Sequence, residues 1–177
     1  VEIGGLGIPL VFNNILEGRS LDEAHAVSSF SDPYIGGDAG YLQVIRLDGH
    51  GPSLVVTPLG HTPFEAYNPL LSDPTRRGVT FEGLHEWTVH TRAHAEEEWA
   101  GAEPWNAPTS AVLAPGESTS YGLVFLVADG PRDIEPTLVE RGRPVAVGVP
   151  GYVLPTDLEA RLFLKAPSAV RSLSVEP

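Results

Sequence analysis

Cysteine and methionine are both missing from the 177 residues. Without thiols the chain has no disulfide, no thiolate metal site, no cysteine nucleophile and no Cys-x-x-Cys redox pair. This assigns no compartment, because a domain of this length buries roughly two-thirds of its unfolded surface without covalent staples; localisation stays open, secretion included. Methionine is missing even from position 1, which is Val1, so a segment of a longer protein is expected. Basic residues are scarce, 11 against 23 acidic ones, and the formal charge is -12. Such a surface repels phosphate backbones and anionic headgroups, so neither nucleic acid nor a membrane is expected as a partner. No apolar run approaches the ~20 residues of a membrane helix, and no basic stretch leads into a short apolar core as in a signal peptide.

Three nucleotide and nucleophile motifs fail in the same way. A dinucleotide fingerprint opening at Gly5 needs a third glycine where Leu10 stands. Gly116-Glu117-Ser118 is followed by Thr119 and Ser120, not by the x-Gly of a nucleophile elbow, and there is no phosphate-binding loop. His90 and His94 have helical spacing, but a zincin helix needs a histidine at Val89, and the chain changes from strand to helix between them. No metal or cofactor is therefore expected.

Glycine and proline are plentiful, 19 and 17 residues dispersed between apolar runs. They act as turn punctuation between many short strands, which predicts an all-β antiparallel sandwich with one to three short helices. A single domain over 1–177 is expected, with 152–177 as terminal strands that pack on a following domain. Ser20 and Glu23 have capping-box spacing before a helix from Leu21 to about Val27. Ser31 to Tyr34 and Gly36 to Gly40 read as loops, and Tyr41–Leu47 and Ser53–Leu59 as a hairpin whose apolar runs are covered on both faces. Ala111–Leu113 and Ser118–Val127 flank Ala114-Pro115-Gly116-Glu117, which predicts a type II turn and a second hairpin. Asp133 is expected to cap a helix that stops at Gly142, and two strands are expected around Leu158–Lys165 and Ser172–Val175.

Leu84 to Asn106 is the stretch where a ligand is expected. It holds all three tryptophans, Trp87, Trp99 and Trp105, with His85, His90, His94 and several glutamates. A strand from Val79 to Thr91 is predicted to put Trp87 in the core, followed by an acidic helix over Ala93 to Ala100 and an extended loop between Pro104 and Pro108. Indoles fill cores, and they also stack on the apolar faces of sugars while offering one N–H donor. Glu96-Glu97-Glu98 reads as a solvated helix face. Trp99, Trp105, Asn106 and His94 are the expected carbohydrate-binding residues.

The runs EIGGLGIPLVFNN (Glu2 to Asn14), GRSLDEAH (Gly18 to His25), DPYIGGDAGYLQV (Asp32 to Val44), DPTRRGVTFEG (Asp73 to Gly83), AEPWNAPTS (Ala102 to Ser110) and GRPVAVGVPGYVLPTDLEARLFLKAP (Gly142 to Pro167) resemble a domain family of unknown function grouped with six-hairpin glycosidase-like proteins. The resemblance implies an N-terminal β-supersandwich, similar to galactose-mutarotase-like folds, that packs against a C-terminal (α/α)6 toroid of the same protein. It further implies that the acid and base carboxylates belong to the toroid, so that this chain shapes the cleft of a glycoside hydrolase without a catalytic pair of its own. The alternatives are a stand-alone carbohydrate-binding module and a mutarotase-like epimerase using histidine and glutamate.

Overall fold

The computed structural model describes residues 1–12, 18–69, 84–151 and 153–175. Asn13, Asn14, the Arg76-Arg77 pair and the expected strand start at Val79 lie outside them. Among the described residues antiparallel strands dominate, with three short α-helices, and the chain divides into two compact units, Val1–Pro131 and Arg132–Pro177.

The first unit is a sandwich of two sheets. One is four-stranded, in the order β3 (Ser29–Tyr34), β4 (Tyr41–Arg46), β5 (Ser53–Leu59), β9 (Gly122–Ala128). The other runs β2 (Leu6–Val11), β7 (Leu84–His90), β6 (Ala66–Pro69), and a two-residue pair joins β1 (Glu2–Ile3) to β8 (Ala111–Val112). Leu42, Val44 and Val56 from the first sheet meet Leu10, Trp87 and Val89 from the second, with Phe64 between. Leu42 pairs with Val56 across β4 and β5, so strand alternation puts both on this inner face. Val55 and Thr57 point the other way and are also buried, which accounts for the lack of polar alternation in the sequence.

Local signals were realised where the partners are close in the chain. Helix α1 spans Leu21–Val27 behind a complete capping box, with Ser20 N donating to Glu23 at 2.9 Å and Glu23 N donating to Ser20 Oγ at 3.3 Å. Ser31 to Tyr34, expected as a loop, belongs to strand β3. Pro33 fits there because β3 is an edge strand, where the missing N–H leaves no inner ladder bond unmade. The turn at Ala114–Glu117 forms as expected, with Glu117 N donating to Ala114 O at 3.0 Å and Gly116 at φ +85. Its flanks do not pair with each other: β8 joins β1, and β9 joins β5 over Ser53↔Ala128 to Leu59↔Gly122. A two-residue strand offers β9 little ladder, whereas β5 satisfies its full length and buries Leu126 and Ala128.

The second unit contains α3 (Ile134–Glu140) and the hairpin of β10 (Val145–Val149) with β11 (Arg161–Lys165). Asp133 occupies the N-cap position without a side-chain cap bond. The helix ends in a Schellman motif: Gly142, at φ +74, donates to Val139 O and Arg143 N donates to Leu138 O, both at 2.9 Å. Strand β10 was not expected, and the strand expected at Ser172–Val175 is replaced by irregular chain, with Leu173 and Val175 exposed.

Candidate functional site

Strand β7 is the central strand of its sheet, and its C-terminal end delivers the site. Trp87 is 0% exposed, stacked on Phe64 at 3.8 Å with its indole N–H donating to Pro63 O at 3.1 Å, so it serves the core as expected. After Thr91 comes α2, Arg92–Glu96, shorter than the helix expected to reach Ala100. Its last turn folds over: Trp99 N donates to His94 O at 2.8 Å, and the Trp99 ring stacks on the His94 imidazole at 4.7 Å. His94 also contacts the Glu98 carboxylate, one helical turn on.

Trp99, Trp105 and Asn106 come together around a hollow of about 230 Å³ that Tyr67, Ala95 and Glu103 also line. Trp105 is 80% exposed, and Trp99 is half-buried. His94 is not on this lining; it stands behind Trp99 and backs its ring. Asn106 also has a structural task. Its amide nitrogen donates to Phe64 O at 3.3 Å and Glu65 O at 3.0 Å, fastening the tryptophan loop to the segment before β6. Its side-chain oxygen faces Gly37, which is at φ +55 and would bring a Cβ to 3.6 Å of it.

Glu65 was missed by sequence reasoning, and it ties the region together. The side chain is 3% exposed. One carboxylate oxygen accepts from Thr91 N at 3.0 Å, Thr91 Oγ1 at 2.8 Å and Thr109 N at 3.2 Å; the other accepts from the Thr109 hydroxyl. Four donors thus replace the water that a buried carboxylate loses. Thr109 in turn meets His90 Nδ1 at 2.8 Å, and His90 Nε2 meets the Tyr121 hydroxyl at 2.7 Å. Because the Thr109 hydroxyl donates to Glu65, Thr109 Oγ1 accepts from His90 Nδ1–H; in the tautomer this selects, Nε2 accepts from the Tyr121 hydroxyl. Both ring nitrogens of His90 are engaged in these hydrogen bonds, and no set of three metal-type ligands converges among the described residues. On the Tyr121 side lies a larger cavity of about 470 Å³, lined by His61, Asp38, His90, Thr119 and Tyr121. Glu65 and Asn106 border both cavities.

The model of the family of unknown function DUF5695 matches residues 1–177. The chain belongs to that family. No curated protein and no solved structure matches it.

The DUF5695 chain thus places two cavities on either side of the loop that Glu65 and Asn106 hold. Neither lining includes a lysine or arginine among the described residues, while Glu65, Glu103 and Asp38 contribute carboxylates. With the formal charge of -12, this disfavours anionic ligands at both places.

Proposed function

We propose that this chain is the non-catalytic sandwich domain of a glycoside hydrolase, in which Trp105 and Trp99 form a stacking rim for carbohydrate. The enzyme context is taken from the resemblance of its motifs to a family of unknown function grouped with six-hairpin glycosidase-like proteins, in which an (α/α)6 toroid would be the partner domain that carries the catalytic carboxylates. The observation behind the rim is Trp105, 80% exposed beside the half-buried Trp99. An indole left in water forgoes burial worth about 1.5–3 kcal/mol for a large apolar side chain, and a sugar face supplies that apolar contact. A hollow of about 230 Å³ is smaller than the ~300–1,000 Å³ of enclosing ligand pockets, so it fits one face of a sugar, as a cleft rim does.

Titration of the purified chain with neutral oligosaccharides, followed by tryptophan fluorescence, tests this reading. Weak saturable binding is expected, reduced about tenfold or more in Trp105→Ala, which corresponds to ~1.4 kcal/mol or more. Binding that Trp105→Ala leaves intact, or no binding at any glycan, removes the stacking rim.

A further inference from the structure

We propose that the larger cavity is a second ligand site, which takes a neutral, hydroxyl-rich molecule of about one sugar ring, and that the Tyr121 hydroxyl is its recognition group. The ligand class rests on the carbohydrate reading above; the residues do not, because neither Trp99 nor Trp105 lines this cavity. At about 470 Å³ it falls within the ~300–1,000 Å³ range of small-molecule sites, where the tryptophan hollow does not. Its floor is buried, with Glu65 3% and His90 7% exposed, and its mouth is open at His61 and Asp38.

The hydrogen-bond chain behind the floor fixes what Tyr121 can offer. Glu65 accepts a hydrogen bond from the Thr109 hydroxyl, Thr109 Oγ1 accepts from His90 Nδ1–H, and His90 Nε2 accepts from the Tyr121 hydroxyl. With its hydrogen directed at His90, the phenol oxygen of Tyr121, a lining residue, serves a ligand only as an acceptor, and its ring is held by an edge contact with His90 at 5.3 Å. A group fixed in this way loses little freedom when a ligand binds. The side-chain oxygen of Asn106 is a second acceptor, and the hydroxyls of Ser110 and Thr119 serve as either donor or acceptor. That mixture complements hydroxyl groups. With no lysine or arginine among the described lining residues, the cavity offers a uronate or a phosphate no cationic partner. An ammonium ligand gains little, since the Glu65 oxygens are already taken by four donors and Asp38 is largely in solvent.

Two-dimensional ¹H–¹⁵N NMR of the chain, titrated with the methyl glycosides of glucose, galactose and mannose and with glucuronate, tests the proposal. Saturable shifts are expected at the amides of Gly37, Thr109, Thr119 and Tyr121 with at least one methyl glycoside, and glucuronate is expected to bind at least fivefold more weakly. Tyr121→Phe is expected to weaken the glycoside about tenfold. If that variant does not fold, Thr119→Arg, at an exposed position of the mouth, is expected to abolish the shifts by filling it. Shifts confined to the Trp105 indole N–H overturn this site and leave the stacking rim standing; shifts confined to the second cavity do the reverse. No shift at Thr109 and Tyr121 with any glycoside, equal affinity for glucuronate, or undiminished binding in the folded variants overturns the proposal.

Discussion

Glu65 accepts both the backbone and the hydroxyl proton of Thr109, a residue 44 positions further along the chain. The same carboxylate holds Thr91, so a single buried acid joins the end of β7 to the loop after Trp105. Glu65→Gln keeps the shape but turns one acceptor into an NH₂ donor facing hydroxyl and amide donors. A loss of about 1–3 kcal/mol is expected for each donor left unsatisfied. Urea unfolding at constant m-value measures it, and a change under about 0.5 kcal/mol contradicts the pinning role.

The tryptophans separate by burial. Trp87→Ala removes a fully buried ring from the Phe64 stack and leaves Pro63 O without its donor, so a loss of about 3–5 kcal/mol is expected. Trp105→Ala changes an exposed residue and is expected to stay within about 0.5 kcal/mol of the parent. Parallel denaturation curves decide. A large loss in Trp105→Ala would assign that ring to packing and remove it as a surface for ligands.

Much of this fold was legible where the physics is local. The Ser20–Glu23 box spans three positions, the Ala114–Glu117 turn four residues, and the β4–β5 runs lie on either side of a glycine-rich turn, so each signal and its partner sit in one short window. The aromatic end of the site was legible because tryptophan is rare and its chemistry distinctive. The polar half was not. Glu65 sits in a proline-broken stretch with nothing to mark it among 23 acidic residues, and its partners are 26 and 44 positions away. The pairing of β9 with β5 and of His90 with Tyr121 is likewise set by tertiary contact, with no periodicity to announce it. Asn106 carries a role that its neighbours in the chain do not announce: beside two tryptophans its amide reads as a ligand contact, and its nitrogen also fastens the loop to backbone carbonyls 41 and 42 positions away.

Gly40 marks a place where a methyl group does not fit. A Cβ there would stand 2.7 Å from Phe64 Cβ, 2.9 Å from Gly36 N and 3.0 Å from Tyr34 O. Two of these are backbone atoms, which cannot swing aside as a flexible side chain would. Gly40→Ala is expected to cost about 1–3 kcal/mol by overpacking. Thermal unfolding checks it, with Gly49→Ala as the comparison: its Cβ meets nothing within 4 Å, so only the strain of φ +69 is paid there, about 1–2 kcal/mol.

His85 gives the sandwich a pH dependence with a defined sign. Its ring is fully buried and stacks on Tyr67 at 4.8 Å, and burial pushes its pKa below the ordinary histidine value. In the unfolded chain the same ring titrates near ~6.5. Well above that pH neither state binds the proton, and the folded state has its full advantage. As the pH falls below ~6.5 the unfolded chain gains a proton that the buried ring refuses, so stability declines toward acid until the folded pKa is reached. The slope for one such group is at most about 1.4 kcal/mol per pH unit. Glu23, whose pKa is lowered by its hydrogen bonds from Ser20, loses its contribution only in the carboxylate range, below this window. Urea unfolding of the parent and of His85→Gln at pH 7.5 and 5.5 isolates the effect. The parent is expected to lose more stability between the two than the variant does, and equal losses would show that His85 is not the titrating group.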